Sequence, residues 1–560
     1  MNEQSSKTIP IKFNLKSWQL HIFVSLFLLL SFNAAFWLEI STIVHPNNLP
    51  EYLFIFSIFL LSLLINNLLF NILCIKHSYK IIYPLVLIVS ALSLYFIKQY
   101  NIIIDRDMIQ NIVETNPAEA TDFLNFTLFF YLITFGIIPS VIIHKLKVTF
   151  KPLKYESLLK IKIVFISILC IISLLYISYP AYASMARGNR HISHLIIPTN
   201  FIFAGVSYIK QQVRSANVPL ERIAQDAKLN SVWNTHKNKT VLVLVIGETA
   251  RADHFSINGY HKVTTPKLAK RDIINFTQTS SCGTSTAISL PCMFSNLNRK
   301  TFSKNIAKNR ENLLDFLSTA GYSVQWRDNN TGCKGICKRV DFIDLTSIND
   351  SSHCQTGECF DEILIQGLTS QILNNPNNQV IVLHQKGSHG PAYYLRYPQA
   401  FKKFSPICAS NELQKCTTKE LNNTYDNTIY YTDYVVDKVI QTLIDLPSLY
   451  NSSLVYISDH GESLGENNIY LHGTPYFMAP DAQTHVPFFV WLSDQFKTDF
   501  SINTQCLRKK QGLPLSHDNL FHSVLGLMNV TTDHYKPSKD IFHSCSNSAN
   551  PLKMVHNIQE

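Results

Sequence analysis

Long apolar runs fill the first third of the chain, whereas the remainder alternates short strand-like runs with helix-like segments. Charged interruptions divide the first region into five runs, beginning near Leu20, Leu53, Ile81, Phe123 and Ile163. Each approaches the ~20 residues a helix needs to cross ~30 Å of hydrocarbon, so the pattern predicts a membrane domain of five transmembrane helices over residues 1–182. The first run is flanked by Trp18 and Trp37, lacks a small-residue cleavage site and is followed by further spans; it reads as an uncleaved anchor, not a secretory signal. Lys7, Lys12 and Lys16 precede that run, Lys76 and Lys80 follow the second, and Lys145, Lys147, Lys151 and Lys154 follow the fourth. Basic residues near short loops stay on the cytoplasmic side, which places the amino terminus inside and everything after about Ala183 outside.

Residues 183–235 mix apolar residues with His, Arg and Lys in GNRHISHLIIPTNFIFAGVSYIKQQVRSA. They read either as short helices in the membrane interface, interrupted by Pro198, or as an ordinary packed linker. From residue 236 to 560 the runs VLVLVIG, YSVQW, VIVLHQ and SLVYIS suit buried strands. Their alternation with helical segments predicts an α/β domain with a largely parallel sheet. In such sheets function collects outside the carboxyl ends of the strands. Glu248 ends the first run, and Asp459 with His460 ends the last. Between them, CGTSTAISLP opens a helix at which Thr284, Ser285 or Thr286 is either a cap or a nucleophile whose phosphoryl group meets free backbone N–H groups. A carboxylate, a hydroxyl and an Asp-His pair form a donor set that holds a divalent metal and keeps the hydroxyl deprotonated.

Cysteine usage tests the topology. Of 12 cysteines, Cys74 and Cys170 fall in the apolar region, leaving an even set beyond it. Close neighbours suggest the simplest pairing: Cys282 with Cys292, Cys333 with Cys337, Cys354 with Cys359, Cys408 with Cys416, and Cys506 with Cys545. Zinc binding by Cys333 and Cys337 is the competing reading, without a second pair to complete four ligands. Disulfides persist in oxidising compartments, so both tests favour an exoplasmic domain. The net charge of +10 comes partly from the cytoplasmic loop lysines, and no nucleic-acid signature accompanies it; nucleic acid is discounted as a partner. No internal repeat stands out.

The segments GETAR, SCGTSTAISLPCMFS, WRDNN, LHQKGSHGPAYY and YISDHGESLGENNIYLHGTP resemble, in order and spacing, the motif series of bacterial phosphoethanolamine transferases that modify lipid A, a group including the mobile colistin-resistance enzymes. The resemblance implies an alkaline-phosphatase-like or sulfatase-like domain in the periplasm, anchored in the inner membrane; a monomer is expected, though the sequence does not identify the oligomeric state. It implies Glu248, Thr286, Asp459 and His460 as metal ligands and Thr286 as the nucleophile. The imidazole favours zinc over magnesium, while three oxygen donors leave manganese open; one zinc site is expected, with room for a second. His389 and His472 match positions that bind phosphate or an additional zinc, and Asn330, Thr331 and Lys334 follow the WRDNN strand end. In DMIQNIVETNPAEA, residues Asn111, Thr115 and Glu119 share one helical face if the helix continues past Pro117, and the resemblance implies contact there with an ethanolamine-bearing substrate.

The expected reaction takes phosphoethanolamine from phosphatidylethanolamine onto Thr286 and then to a phosphate of lipid A, weakening attraction for cationic peptides such as polymyxins. The alternatives are a related phosphoethanolamine or phosphoglycerol transferase with another envelope acceptor, a sulfatase or phosphodiesterase that passes the intermediate to water, and a lipid sensor without chemistry.

Overall fold

The computed structural model describes residues 14–546 apart from 116, 217, 235–237, 347, 349–351 and 356–357. Lys7 and Lys12, and the expected boundary at residue 235, lie outside the described residues. The chain forms two compact units: residues 1–109 with 124–208, and residues 110–123 with 209–560. The division therefore differs from a simple cut near residues 182 and 235. One boundary falls inside the helix Thr199–Ala216, and a loop segment between two apolar helices joins the second unit. Sequence hydropathy cannot show that assignment, because Gln110–Phe123 is held by tertiary contacts and not by its own composition.

In the first unit, Leu49–Leu73, Tyr79–Tyr100, Phe126–Lys145 and Leu153–Ile177 are long and apolar enough to cross a membrane. The first expected span is a pair of helices, Ser17–Ser31 and Ala34–Val44, bent by 67°. At the bend the side chain of buried Asn33 bonds to the carbonyls of Leu28 and Ile197, at 2.9 Å each, and accepts from the Ile197 amide at 2.8 Å. A polar side chain that satisfies freed backbone groups is what lets a helix break in an apolar setting. Along Thr199–Ala216, Phe203, Val206, Ile209 and Val213 stand exposed at helical spacing, the face an interfacial helix presents to headgroups.

The second unit is built on a seven-stranded sheet of Lys239–Gly247 (β1), Ile273–Phe276 (β2), Ser323–Asp328 (β3), Asp341–Asp344 (β4), Gln379–His384 (β5), Tyr450–Ser458 (β6) and Phe488–Leu492 (β7). Its order is β2-β7-β6-β1-β5-β3-β4. The five strands from β6 to β4 pair in parallel, and β7 and β2 add antiparallel pairings at one side. The sheet is thus largely parallel, and β1, β5 and β6 are buried along their length on both faces, as covered parallel strands require. Leu242, Leu244 and Ile246 of β1 join a core with Leu313–Thr319 and Leu520–Leu527. The long helix Thr418–Ile444, opened by a capping box at Thr417 and Glu420, packs against β6. Bonds join Cys282 to Cys292, Cys333 to Cys337, Cys354 to Cys359, Cys408 to Cys416, and Cys506 to Cys545, while Cys74 and Cys170 are free. A disulfide between Cys333 and Cys337 leaves no thiolates there for zinc.

Candidate active site and metal centre

The carboxyl ends of β1 and β6 are tied together before any side chain reaches the site. The Asp459 amide donates to the Gly247 carbonyl at 2.9 Å, the Thr249 amide to Asp459 Oδ1 at 3.1 Å, and the Ala250 amide to Ser458 Oγ at 2.9 Å. Gly247 has to be glycine: a Cβ there would lie 2.3 Å from the Tyr456 hydroxyl. Thr249 adopts φ +52°, a left-handed conformation that β-branched residues avoid and that is stored at functional sites.

These ties bring Glu248, Asp459 and His460, each fully buried, into one cluster whose donor atoms lie within 4.8 Å of one another. The helix Thr286–Met293 adds the hydroxyl: Thr286 Oγ1 lies 3.2 and 3.1 Å from the two oxygens of Glu248 and 3.4 Å from His460 Nε2. Thr284, one of its rivals, instead bonds the Thr474 carbonyl at 2.7 Å, and the Ser285 hydroxyl is buried without a partner among the described residues. His460 Nδ1 donates to the Gly461 carbonyl at 2.9 Å, which leaves Nε2 unprotonated and turned toward Thr286.

Burial sets the electrostatics of this cluster. Burial, and then the neighbouring Asp459, push Glu248 up to about 7; burial pushes Asp459 up to about 6 and His460 well below the usual imidazole range. Among the described residues Asp459 Oδ2 is buried without a hydrogen-bond donor, 3.3 Å from His460 Nε2. Two buried carboxylates, one neutral imidazole nitrogen and a hydroxyl fit a four-coordinate zinc.

A second layer surrounds His472. Glu462, fully buried, accepts from the Tyr393 hydroxyl at 2.6 Å and pairs with His472 Nδ1 at 2.8 Å. Burial opposes charge on His472, but Glu462, Glu248 and Asp459 outweigh it and raise the imidazole to about 9. His460, Glu462 and His472 also form a group with metal-ligand spacing. His517 braces the cluster from below: Cys282 N donates to its Nδ1 at 3.1 Å, and its Nε2 meets the Ser458 carbonyl at 2.9 Å. Neither Glu462 nor His517 stands out in the sequence. Glu462 lies two residues past His460 in DHGES, a local signal that could have found it; a lone histidine at 517 carries none.

Thr286 opens into a cleft lined by Asn111, Glu114, Thr115, Glu119, Thr331, Lys334, His389 and His472. The helix Arg106–Glu114 ends before Pro117 and a short helix, Pro117–Thr121, follows, so the three loop residues reach the cleft from two elements and not from one continuous face. Glu119 pairs with His389 Nε2 at 3.1 Å. Burial works against its charge, yet His389, Lys386 and Lys334 hold it down to about 2. Lys334 sits at φ +50° between Gly332 at +78° and Gly335 at +92°, its Nζ bonded to Thr331 Oγ1 at 2.9 Å. The buried cystine of Cys333 and Cys337 anchors that turn to the core. Asn330 differs from the sequence expectation: it does not line the cleft, because its amide hydrogens are engaged by Glu248 Oε2 at 2.7 Å and the Gln385 carbonyl at 2.9 Å.

Known proteins resemble this chain in sequence and fold. Residues 240–530 match the sulfatase family, and residues 60–213 match the family described as phosphoethanolamine transferase EptA/EptB. The phosphoethanolamine transferase EptA of Escherichia coli K12 is 40% identical over 534 residues, covering 95% of this chain and 97% of that protein. The phosphatidylethanolamine transferase Mcr-1 of Escherichia coli is 37% identical over 472 residues, covering 82% of this chain and 85% of its own length. The solved structure of the integral membrane lipooligosaccharide phosphoethanolamine transferase A from Neisseria meningitidis superposes with a TM-score of 0.90 at 38% identity, over 95% of this chain and 99% of that one.

Proposed function

The chain belongs to the phosphoethanolamine transferase family, and from that premise we propose that it moves phosphoethanolamine from phosphatidylethanolamine to a phosphate of lipid A through a covalent intermediate on Thr286. It is a multi-pass inner-membrane enzyme with a periplasmic catalytic domain. The observation that carries the reading is the position of the Thr286 hydroxyl, within 3.4 Å of Glu248 and His460 at the floor of a cleft.

Glu248, Thr286, Asp459 and His460 would hold a zinc ion. When bound, zinc supplies positive charge that lowers the pKa of the Thr286 hydroxyl and neutralises phosphoryl oxygens. Thr286 Oγ, its proton released to water, attacks the donor phosphorus; the phosphorus bond to the glycerol oxygen breaks, and diacylglycerol leaves. His472 is protonated at neutral pH and is held at Nδ1 by Glu462, so its Nε2 supplies the proton that the leaving oxygen needs. An oxygen of the acceptor phosphate then attacks the same phosphorus, and Thr286 Oγ departs. Lys334 stabilises charge on the phosphoryl oxygens, and Glu119 receives the ammonium of the headgroup beside Asn111 and Thr115. The helix start at Thr286 offers free amides to the same oxygens. His389 holds Glu119 in its ionised form.

Lipid A mass spectrometry tests this reading. Cells expressing the wild type gain phosphoethanolamine on lipid A, cells expressing Thr286→Ala do not, and a host lacking phosphatidylethanolamine gains none. Release of free phosphoethanolamine with unmodified lipid A would instead establish a hydrolase.

A further inference from the structure

Behind the cluster, away from the cleft, lies a chain of polar side chains that the proposed reaction does not use. Strands β3 and β5 pair in parallel with Asp328 opposite His384, so the last residue of each strand meets the other. Asp328, Asn330 and His384 are each buried, with no more than 3% of their surface exposed. Asp328 Oδ1 accepts from Trp326 Nε1 at 2.8 Å and from His384 Nδ1 at 2.7 Å. Its Oδ2 accepts from the amides of Asn330 at 3.2 Å and Gly332 at 2.9 Å. With Nδ1 protonated toward Asp328, His384 Nε2 is an acceptor. It faces Asn330 Nδ2 at 3.3 Å. That Nδ2 therefore looks at three acceptors, of which Glu248 Oε2, at 2.7 Å, is the nearest, while Asn330 Oδ1 accepts from the Thr331 amide at 2.8 Å.

Both hydrogens of the Asn330 amide are thus spent on protein acceptors, and the side chain, 3% exposed, does not line the cleft. A ligating carboxylate needs such a donor to fix which oxygen faces the metal.

We infer that Asp328, His384 and Asn330 are positioning residues that orient Glu248 for metal binding, and that Asn330 does not contact the donor lipid. Asp328 acts twice, holding His384 with one oxygen and the backbone of the Asn330 turn with the other. The inference rests on the reading of Glu248 as a metal ligand.

The test uses the full chain in nanodiscs. Zinc dissociation constants come from chelator competition, and the KM for phosphatidylethanolamine is measured at saturating zinc, for the wild type, Asn330→Ala, His384→Ala, His384→Gln and Glu248→Gln. Asn330→Ala is expected to weaken zinc binding by about 10- to 100-fold and to leave the donor KM within about twofold. His384→Ala weakens zinc binding less, and His384→Gln, which keeps an acceptor for Asn330 and a donor for Asp328, recovers part of that loss. Should Asn330→Ala fail to fold, the two His384 variants decide the matter by the same readouts. An unchanged zinc constant with a raised donor KM overturns the inference and makes Asn330 a substrate contact. An unchanged zinc constant with only a lowered melting temperature also overturns it. A wild type that binds zinc no better than Glu248→Gln would overturn the metal-site reading itself, a result separate from the other two.

Discussion

A buried carboxylate bonded to Thr286 and a partly buried one lining the cleft sit at opposite electrostatic extremes. Glu248, buried beside Asp459 and only partly offset by His389, His472 and His384, is pushed up to about 7; Glu119, faced by His389, Lys386 and Lys334, is held down to about 2. Both lose most of their hydration, so the difference is a matter of partners. The Glu119 wall brings its own cations and is complete without a bound ion. The Glu248 wall sets two buried carboxylates and the Thr286 hydroxyl against imidazoles alone, with no lysine or arginine bonded to them among the described residues, which is an arrangement a metal ion relieves. On the proposed reading the comparison divides the labour of the site: one wall would hold the metal and the nucleophile, and the other would receive the charged headgroup.

The largest effects should come from breaking the Glu248 wall. Thr286→Ala or Glu248→Gln is expected to reduce transfer by at least roughly 1,000-fold, read from phosphoethanolamine incorporation into purified lipid A. Metal removal comes next and separates the walls by pH. The raised folded-state pKa values of Glu248 and Asp459 mean that both ionise more readily in the unfolded chain. Without zinc they therefore lower stability as pH rises from about 4, the ordinary carboxyl range, through about 7. Chelated enzyme should melt at progressively lower temperature across that window, and added zinc should restore both the melting temperature and turnover. Glu119 works in the opposite sense: its depressed pKa contributes stability above about 4 that is lost as pH falls toward 2.

Smaller effects sharpen the contrast. Glu119→Gln should raise the donor KM by about tenfold while leaving the zinc affinity of the protein unchanged, because the substitution removes a headgroup contact and not a ligand. Glycines differ between the walls too. A Cβ on Gly461 would lie 2.1 Å from the Ala482 carbonyl oxygen, whereas one on Gly332 meets nothing within 4 Å. Gly461→Ala should therefore cost about 1–3 kcal/mol in thermal unfolding and weaken zinc binding through the adjacent His460. Gly332→Ala should cost only about 1 kcal/mol, from its positive φ.

The two walls were also unequally legible in the sequence. Glu248, Asp459 and His460 follow continuous β-branched strands, so a parallel sheet brings them to one edge whatever the details of packing. The Glu119 wall draws on Gln110–Phe123, enclosed between two apolar runs, and nothing local in that segment shows which unit it joins. The partners of Asn330 depend on the register that sets Asp328 beside His384, a tertiary fact that spacing along the chain does not encode. Glu462 and His517 are single polar residues whose roles come from what folds against them. The bend at Asn33 interrupts a run that composition alone reads as one span, because the compensating carbonyl belongs to Ile197, far along the chain.

The central claim, that Thr286 carries the transferred group, is tested most directly by trapping it. Full-length zinc-loaded enzyme incubated with phosphatidylethanolamine and no acceptor should yield a peptide containing Thr286 with one added phosphoethanolamine, which disappears when lipid A is supplied. An unmodified Thr286 peptide under conditions that consume the donor and modify lipid A would contradict the account.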